Sequence, residues 1–259
     1  MAPCFFSILP MRISRLRTAW IIFLSGFYTA YACSRAIIKS LFGKPSRAWV
    51  DQVIDQWINR LLNLIGVKCK VFNPHNVEPQ PGEATIIMCN HSSLYDIPIS
   101  YKTFPDHSIR MLAKKELSNI LLLGRAMKIA EFPFVDRKNR HQAIKDLAYM
   151  KKLMESGIVM WIAPEGTRSK DGKVAKFKKG GFITAIEAKA TIIPIGIRGA
   201  FDILPARTYR FNINRTAEIH IGKPINTSEY SMENKEKLIS KVHKEIRTLA
   251  GEKKNSSEE

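Results

Sequence analysis

Short apolar runs rich in β-branched residues alternate with amphipathic stretches through most of the chain. Seven runs predict strands, at residues 68–72, 84–89, 109–113, 132–135, 158–163, 191–197 and 217–221. Four stretches with helical spacing lie between or after them, at residues 118–129, 140–156, 180–189 and 232–250. This alternation predicts an α/β fold with a mixed, largely parallel sheet flanked by helices.

The first 66 residues have a different pattern. An apolar run at residues 18–33 follows three arginines and precedes Arg35 and Lys39. As a helix it would rise about 24 Å, short of the roughly 30 Å hydrocarbon core of a bilayer. Basic residues on both flanks leave its orientation open. A cleaved signal peptide, a spanning helix and a half-inserted helix that returns to the same face all fit, and we favour the last.

A second N-terminal helix is predicted at residues 46–66, with Ser46 as its N-cap. Its apolar stripe carries Trp49 and Trp57, and it fits either a core-packing helix or a helix at the membrane surface. The two tryptophans favour the membrane surface. We therefore predict three regions: membrane-anchoring helices at 1–66, an α/β domain at 67–250, and a disordered polar tail at 251–259.

The net charge of the chain indicates what kind of partner it binds. The chain has 41 Lys and Arg against 23 Asp and Glu, a net charge of +18. Such a balance indicates an anionic partner, whether nucleic acid, an acidic membrane face or a phosphorylated ligand. The four cysteines, Cys4, Cys33, Cys69 and Cys89, lack metal-ligand spacing, and we expect reduced thiols in a cytosolic compartment.

The segment at residues 90–96, Asn-His-Ser-Ser-Leu-Tyr-Asp, follows a predicted buried strand. In a helix, positions five apart lie about 140° apart around the axis. His91 and Asp96 can therefore meet only if His91 is in the loop and Asp96 is in the first helical turn, with Ser92 or Ser93 as N-cap. Such a pair provides a base and the group that orients it. Alone, a loop-capping histidine and a helix-starting aspartate explain the spacing at least as well.

Other segments add candidate chemistry. Residues 163–169 follow another predicted buried strand and combine a glycine, hydroxyls and an arginine, as phosphate-binding loops do, although an ordinary turn also fits. Residues 134–137 end in Asp-Arg. Residues 193–195 place Pro194 inside a strand run, which predicts an edge, a bulge or a strand end near a site. Basic stretches lie at 114–117 and 176–180.

In this order, the four blocks at 90–96, 134–137, 163–169 and 193–195 resemble those of the glycerophospholipid acyltransferase family, specifically the 1-acyl-glycerol-3-phosphate acyltransferases. The resemblance covers roughly residues 68–230 and includes the stretch at 114–117. Ala163 stands where the family usually has Phe, and Ile193 where it has Val. Neither change removes a reactive group.

The resemblance implies a role for each block. His91 would deprotonate a glycerol hydroxyl as it attacks an acyl thioester, and Asp96 would orient His91. Transfer would be direct, without an acyl-enzyme, cofactor or metal. Glu165 would position its loop or an acceptor hydroxyl. Arg168 would be the main ligand of the acceptor phosphate. The full set of remaining predicted substrate-binding residues is Asn90, Lys114, Arg137, Gly166, Thr167 and Arg168.

The implied partners are acyl-CoA or acyl-carrier protein as donor, a lysophospholipid acceptor, and the anionic leaflet at the cytoplasmic face of a membrane. That membrane would be the inner one in a bacterium. Other lysophospholipids, lyso-aminolipids and glycerol-3-phosphate are alternative acceptors. A non-catalytic basic lipid-binding protein is the alternative outside enzymes.

Other classes fit less well. Basic residues spread along the chain without a recognised motif argue against a nucleic-acid-binding protein. A serine hydrolase would need a Gly-x-Ser-x-Gly elbow, which the chain lacks. The glycines at 166 and 172 are one residue too far apart for a P-loop, and Val174 stands where Ser or Thr is required.

Overall fold

The computed structural model of the chain describes residues 13–136 and 140–252. The predicted disordered tail lies outside the described residues from residue 253 onward. Eight helices are present in these ranges: α1 Arg15–Leu41, α2 Arg47–Leu64, α3 Asp96–Ser100, α4 Leu123–Ile129, α5 Arg140–Glu155, α6 Gly180–Glu187, α7 Ala200–Ile203 and α8 Lys235–Leu249.

The described residues form nine strands. They are β1 Lys68–Phe72, β2 Thr85–Cys89, β3 Ile109–Met111, β4 Ala113–Lys114, β5 Phe134–Val135, β6 Val159–Ile162, β7 Thr191–Arg198, β8 Thr216–Ile221 and β9 Ile225–Asn226. Six of them line up in one sheet in the order β1-β8-β7-β2-β6-β3, with β9 beside β7. Strands β2, β3, β6 and β7 are mutually parallel, whereas β8 and β9 run antiparallel to β7. The mixed, largely parallel sheet is confirmed.

Helices cover both faces of this sheet. Along β2, Ile87 and Cys89 face the layer that contains α2, α3 and α7. Ile86 and Met88 face the layer formed by α5, α6 and α8. Because side chains alternate between faces along a strand, a strand buried on both sides has to be apolar throughout. The sheet interior therefore positions the carboxyl ends of β2 and β6 side by side.

Helix α1 is longer than predicted. Its 27 residues span about 40 Å at 1.5 Å per residue, so the length argument against a spanning helix was wrong. The helix continues past the polar Arg35 because the guanidinium has partners in α2: it donates to Gln56 at 2.6 Å and lies over the ring of Trp49. By length and composition, α1 is able to cross a membrane.

Helix α2 begins after the predicted N-cap, Ser46, whose hydroxyl accepts from the backbone of Trp49. The membrane-surface interpretation of its stripe was wrong for most of the stripe. Ile58 and Leu62 pack into the main core, and Trp57 donates to Thr29 of α1 at 3.0 Å. Six stripe residues are buried and four, namely Trp49, Ile54, Trp57 and Leu64, are half-buried. The large exposed apolar side chains of the two N-terminal helices lie on α1.

The predicted helix at 118–129 is interrupted. A 3₁₀ turn covers Lys115–Asn119, and α4 starts only at Leu123. Between them Leu122 has a positive φ of 22°. Gly124 packs so closely on this turn that a Cβ there would lie 2.1 Å from the carbonyl oxygen of Ser118. Apolar periodicity alone did not reveal this close backbone approach, which only glycine permits.

Pro194 lies in the central strand β7, not at an edge. On one side β7 pairs with β9 at Thr191 and Ile192 and with β8 from Ile195 onward. Pro194 occupies the gap between these two partners, where a strand residue can lack its N–H donor. The proline therefore marks a change of partner strand.

Candidate active site

His91 lies in the loop that leads from the carboxyl end of β2 into α3, and Asp96 is the first residue of α3. The Nδ1 atom of His91 is 2.8 Å from Oδ2 of Asp96. The Asp96 side chain is fully buried, whereas 16% of the His91 side chain stays exposed. The predicted contact is therefore present. Because a carboxylate only accepts hydrogen bonds, it favours the tautomer with the proton on Nδ1 and a lone pair on Nε2.

The Asp96 carboxylate also shapes the loop. Its Oδ2 accepts from the backbone N–H of Ser92 at 2.6 Å and from that of Ser93 at 2.8 Å. The predicted serine N-cap was wrong: Tyr95 takes the N-cap position and Asp96 is the first residue of α3. The aspartate caps the turn with its own side chain, which leaves the Ser93 hydroxyl to donate to the Leu204 carbonyl.

The other imidazole nitrogen is available for chemistry. Among the described residues, none hydrogen-bonds to Nε2 of His91. The edge of the ring packs against Trp161 of β6, with centroids 6.0 Å apart. An imidazole held on both sides and open at Nε2 has the geometry of a general base.

Glu165 connects the two halves of the site. It follows β6, is 2% exposed, and both of its carboxylate oxygens are used. Oε1 accepts from the backbone N–H of His91 at 2.7 Å, and Oε2 from that of Ala175 at 2.9 Å. The N–H of Ser169 donates back to the His91 carbonyl at 2.7 Å. Glu165 therefore holds the His91 backbone against the second loop.

Burial raises the pKa of Glu165 to about 7, although the two backbone N–H groups favour its charged form. Its ordinary pKa is 4.5. Between these values the folded protein binds more protons than the unfolded protein, so the contribution of protonated Glu165 is complete below pH 4.5 and is lost as pH rises toward 7.

We expect the free energy of unfolding of the wild type, relative to Glu165→Gln, to fall by about 3 kcal/mol between pH 4.5 and 7 and then level off. Urea unfolding of both proteins across this pH range measures the difference. All other titrating groups are common to the two proteins and cancel. Parallel stability profiles would show that Glu165 does not titrate with a raised pKa.

Asn90 has a structural part in the site. Its side-chain amide donates to the Ile197 carbonyl at 2.9 Å and accepts from the Ile197 N–H at 2.7 Å. These two side-chain hydrogen bonds take the place of backbone hydrogen bonds between the ends of β2 and β7. Direct contact of Asn90 with substrate stays a prediction, since the observed bonds fix the strand end that carries His91.

The predicted phosphate ligands lie around this centre. Gly166 adopts a positive φ of 73° in a turn closed by its N–H on the Ala163 carbonyl. Thr167 is exposed and Arg168 partly buried, directly before the Ser169 amide that bonds to His91. Within the described residues the Arg168 guanidinium has neither a hydrogen bond nor an ion pair. An anion there would meet an uncompensated positive charge.

The remaining two basic residues are less defined. Lys114 is exposed in β4, which pairs in parallel with β5. Its neighbour Lys115, which the prediction left without a role, donates to Asp136 at 2.8 Å. The predicted ligand Arg137 lies outside the described residues.

An apolar cavity of about 270 Å³, absent from the predictions, lies between the N-terminal helices and the catalytic loop. Trp49 and Trp57 of α2, Ile97 of α3 and Met111 of β3 contribute to its wall. Met111 lies beside Trp161 in the sheet, and the Trp161 ring contacts His91, so two neighbouring residues connect the cavity to His91. The unusual tryptophan pair in α2 was the one sequence signal of this cavity.

Comparisons with known proteins agree with this geometry. A family model described as Acyltransferase matches residues 68–198. The chain is 27% identical over 187 residues to 1-acyl-sn-glycerol-3-phosphate acyltransferase alpha of Mus musculus, covering 72% of this chain and 65% of that protein. It thus spans about two thirds of that relative. It is 29% identical over 208 residues to 1-acyl-sn-glycerol-3-phosphate acyltransferase of Haemophilus influenzae, covering 78% and 81%.

A solved structure has the same fold. The crystal structure of the 1-acyl-sn-glycerophosphate acyltransferase of Thermotoga maritima superposes with a TM-score of 0.74 at 23% sequence identity. The match covers 93% of this chain and 97% of that one, so the N-terminal helices share the likeness together with the sheet.

Proposed function

Because the chain belongs to the acyltransferase family, we propose that it transfers an acyl chain from a thioester to the sn-2 hydroxyl of lysophosphatidic acid, which yields phosphatidic acid. The donor is acyl-CoA or acyl-carrier protein. The carrying observation is the 2.8 Å contact of His91 with Asp96, which leaves Nε2 open beside the Gly-Thr-Arg loop.

The geometry supports a direct transfer. Nε2 of His91 takes the proton of the acceptor hydroxyl as its oxygen attacks the thioester carbonyl, and buried Asp96 stabilises the imidazolium that forms. When the tetrahedral intermediate collapses, the carbon–sulfur bond breaks and the imidazolium returns the proton to the departing thiolate. The chain then carries no acyl group, and His91 is neutral again.

The acceptor phosphate binds at the loop after β6. Arg168 provides a planar fork for two phosphate oxygens, and the exposed Thr167 and the turn at Gly166 add a hydroxyl and backbone amides. Lys114 of β4 supplies further positive charge, and the predicted ligand Arg137 lies outside the described residues. This arrangement favours an acceptor with a phosphate group.

The apolar cavity receives an acyl chain. Its lining offers almost no polar surface, and it lies next to the wall that His91 packs against. Helix α1, which forms one side of the cavity through Cys33 and Ala36, exposes Trp20, Phe23 and Phe27 elsewhere along its length. Insertion of this surface into the cytoplasmic leaflet would bring acyl chains from the bilayer to the active site.

A panel of acceptors tests the proposal. We expect the full-length protein in vesicles to acylate lysophosphatidic acid faster than lyso-aminolipids, with labelled acyl-CoA or acyl-carrier protein as donor. A control protein carrying Arg168→Gln should lose much of the preference for phosphate-bearing acceptors. Absence of transfer to any phosphate-bearing acceptor would contradict the proposed function.

A further inference from the structure

A second cavity lies at the start of α1, away from the catalytic loop. It has a volume of about 440 Å³ and is open to solvent. The first turns of α1 form one side, and the loop after α7 forms the other. Its lining consists of Arg15, Thr18, Arg207, Thr208, Tyr209 and Arg210. It shares no lining residue with the candidate active site or the apolar cavity.

Three guanidinium groups meet there without a carboxylate. Within the described residues, Arg15, Arg207 and Arg210 have no ion pair or side-chain hydrogen bond. All three residues are exposed to solvent. Like charges around one cavity repel each other unless an anion lies between them. The hydroxyls of Thr18, Thr208 and Tyr209 add donors of the kind that phosphate oxygens accept.

The backbone reinforces this pattern. Arg207 has a positive φ of 61°, a conformation that residues other than glycine rarely adopt. Thr208 holds the loop, since its hydroxyl donates to the Pro205 carbonyl at 2.9 Å. Helix α1 is capped by the Ser14 hydroxyl but has no acidic residue in its first turn, so no negative side chain there offsets the positive end of its dipole.

Exposed apolar side chains lie on the same two segments that form the cavity, and one of them, Tyr209, lines it. Leu16 is 85% exposed, Tyr209 74% and Trp20 58%. A basic cavity next to leucine, tyrosine and tryptophan matches the order of a bilayer surface, where headgroup phosphates lie above the hydrocarbon and aromatic rings lie between them. A soluble phosphate compound bound in the cavity would leave these apolar side chains exposed to water.

We propose that the cavity formed by Arg15, Arg207 and Arg210 binds the phosphate of an anionic phospholipid headgroup, whose acyl chains lie along the exposed side of α1. The inference rests on the proposed membrane contact of α1 but not on acyl transfer. The lipid bound there is a structural partner and is not the acceptor, whose phosphate lies at Arg168. The site ties the start of α1 to the loop after α7.

This loop leads to the catalytic residues. Phe211, next to Arg210, packs edge-on against Tyr95 with centroids 6.3 Å apart, and Tyr95 precedes Asp96. Occupation of the cavity would therefore fix the protein on the membrane at a point that the Phe211–Tyr95 contact connects to Asp96. It would orient the active site toward the lipid surface.

Binding of dihexanoyl phosphatidylglycerol below its micelle concentration tests the site, because no bilayer is needed. Isothermal titration of the full-length protein in a nonionic detergent gives the affinity. We expect saturable binding, weakened about 30-fold in Arg15→Gln/Arg210→Gln, from about fivefold per basic residue near a lipid phosphate. Arg17→Gln is the matched control: it removes the same charge from the same helical turn but does not line the cavity, and should change affinity less than about twofold.

Two results would overturn the proposal. Equal weakening by Arg17→Gln would mean that general surface charge attracts the lipid. Displacement of the lipid by coenzyme A, with a raised KM for acyl-CoA in the double variant, would assign the cavity to the donor's phosphates. The readout is independent of turnover, so a wild-type protein that failed to transfer acyl groups would leave this test intact.

Discussion

Replacing His91 with alanine should lower acyl-transfer turnover by about 10²–10⁴-fold, the usual contribution of a general base. The imidazole is the group at the end of β2 whose Nε2 is open to an acceptor hydroxyl while Nδ1 is held by Asp96. The loop itself is fixed by backbone contacts of His91 with Glu165 and Ser169, which an alanine retains. Steady-state kcat with lysophosphatidic acid and acyl-CoA measures the effect.

The control is His75→Ala, which removes an exposed histidine from the loop after β1. It should leave kcat unchanged. The His91→Ala protein should still bind lysophosphatidic acid, since the proposed phosphate ligands lie on other loops. Near-normal turnover of the His91 variant would rule out the general-base mechanism.

Replacing Asp96 with asparagine should lower kcat by roughly 10²–10⁴-fold with little change in KM. An asparagine oxygen can still accept from the N–H groups of Ser92 and Ser93, so the loop is retained. The negative charge that stabilises the imidazolium is lost. Alanine would be a poorer test, because each buried N–H left unpaired costs about 1–3 kcal/mol and would destabilise the fold.

Asp51→Asn provides the matched control for Asp96→Asn. Asp51 accepts from the buried Arg110 at 2.7 Å, remote from the base, so its loss should reduce stability without changing kcat per folded molecule. Urea unfolding and kcat measured on the same preparations separate the two effects. If Asp96→Asn lost activity only in proportion to its unfolded fraction, Asp96 would be a structural residue and not the group that orients the base.

Local pattern predicted the strands well, because buried parallel strands require continuous apolar runs. Strand β1 was predicted to the residue, and β2, β6, β7 and β8 to within one residue at each end. The four-residue helix α7 escaped prediction, since so few residues do not show a 3.6-residue period, and α3 was expected only from the geometry that lets His91 meet Asp96. Helix α1 was cut short because the pairing of Arg35 with α2 is a tertiary contact.

The contacts of the candidate site, like the helices and strands, could be predicted where they depend on residues close together in the sequence. The spacing of His91 and Asp96 allowed their contact only across a loop entering a helix, and the structure has that arrangement. The role of Glu165 was open, because its partners are main-chain N–H groups, one of them 74 positions away. Main-chain donors leave no residue-type signal, so only the fold identifies them.

The bonds that hold the base to its orienting carboxylate span at most five positions in the chain. By contrast, the contacts that place this segment in the protein, through Glu165 and Asn90, span 74 and 107 positions. The proposed proton-transfer unit is thus nearly self-contained, whereas the proposed surfaces for phosphate and acyl chain come from separate segments. Substitutions in those segments can change the accepted lipid during evolution while the chemistry stays the same.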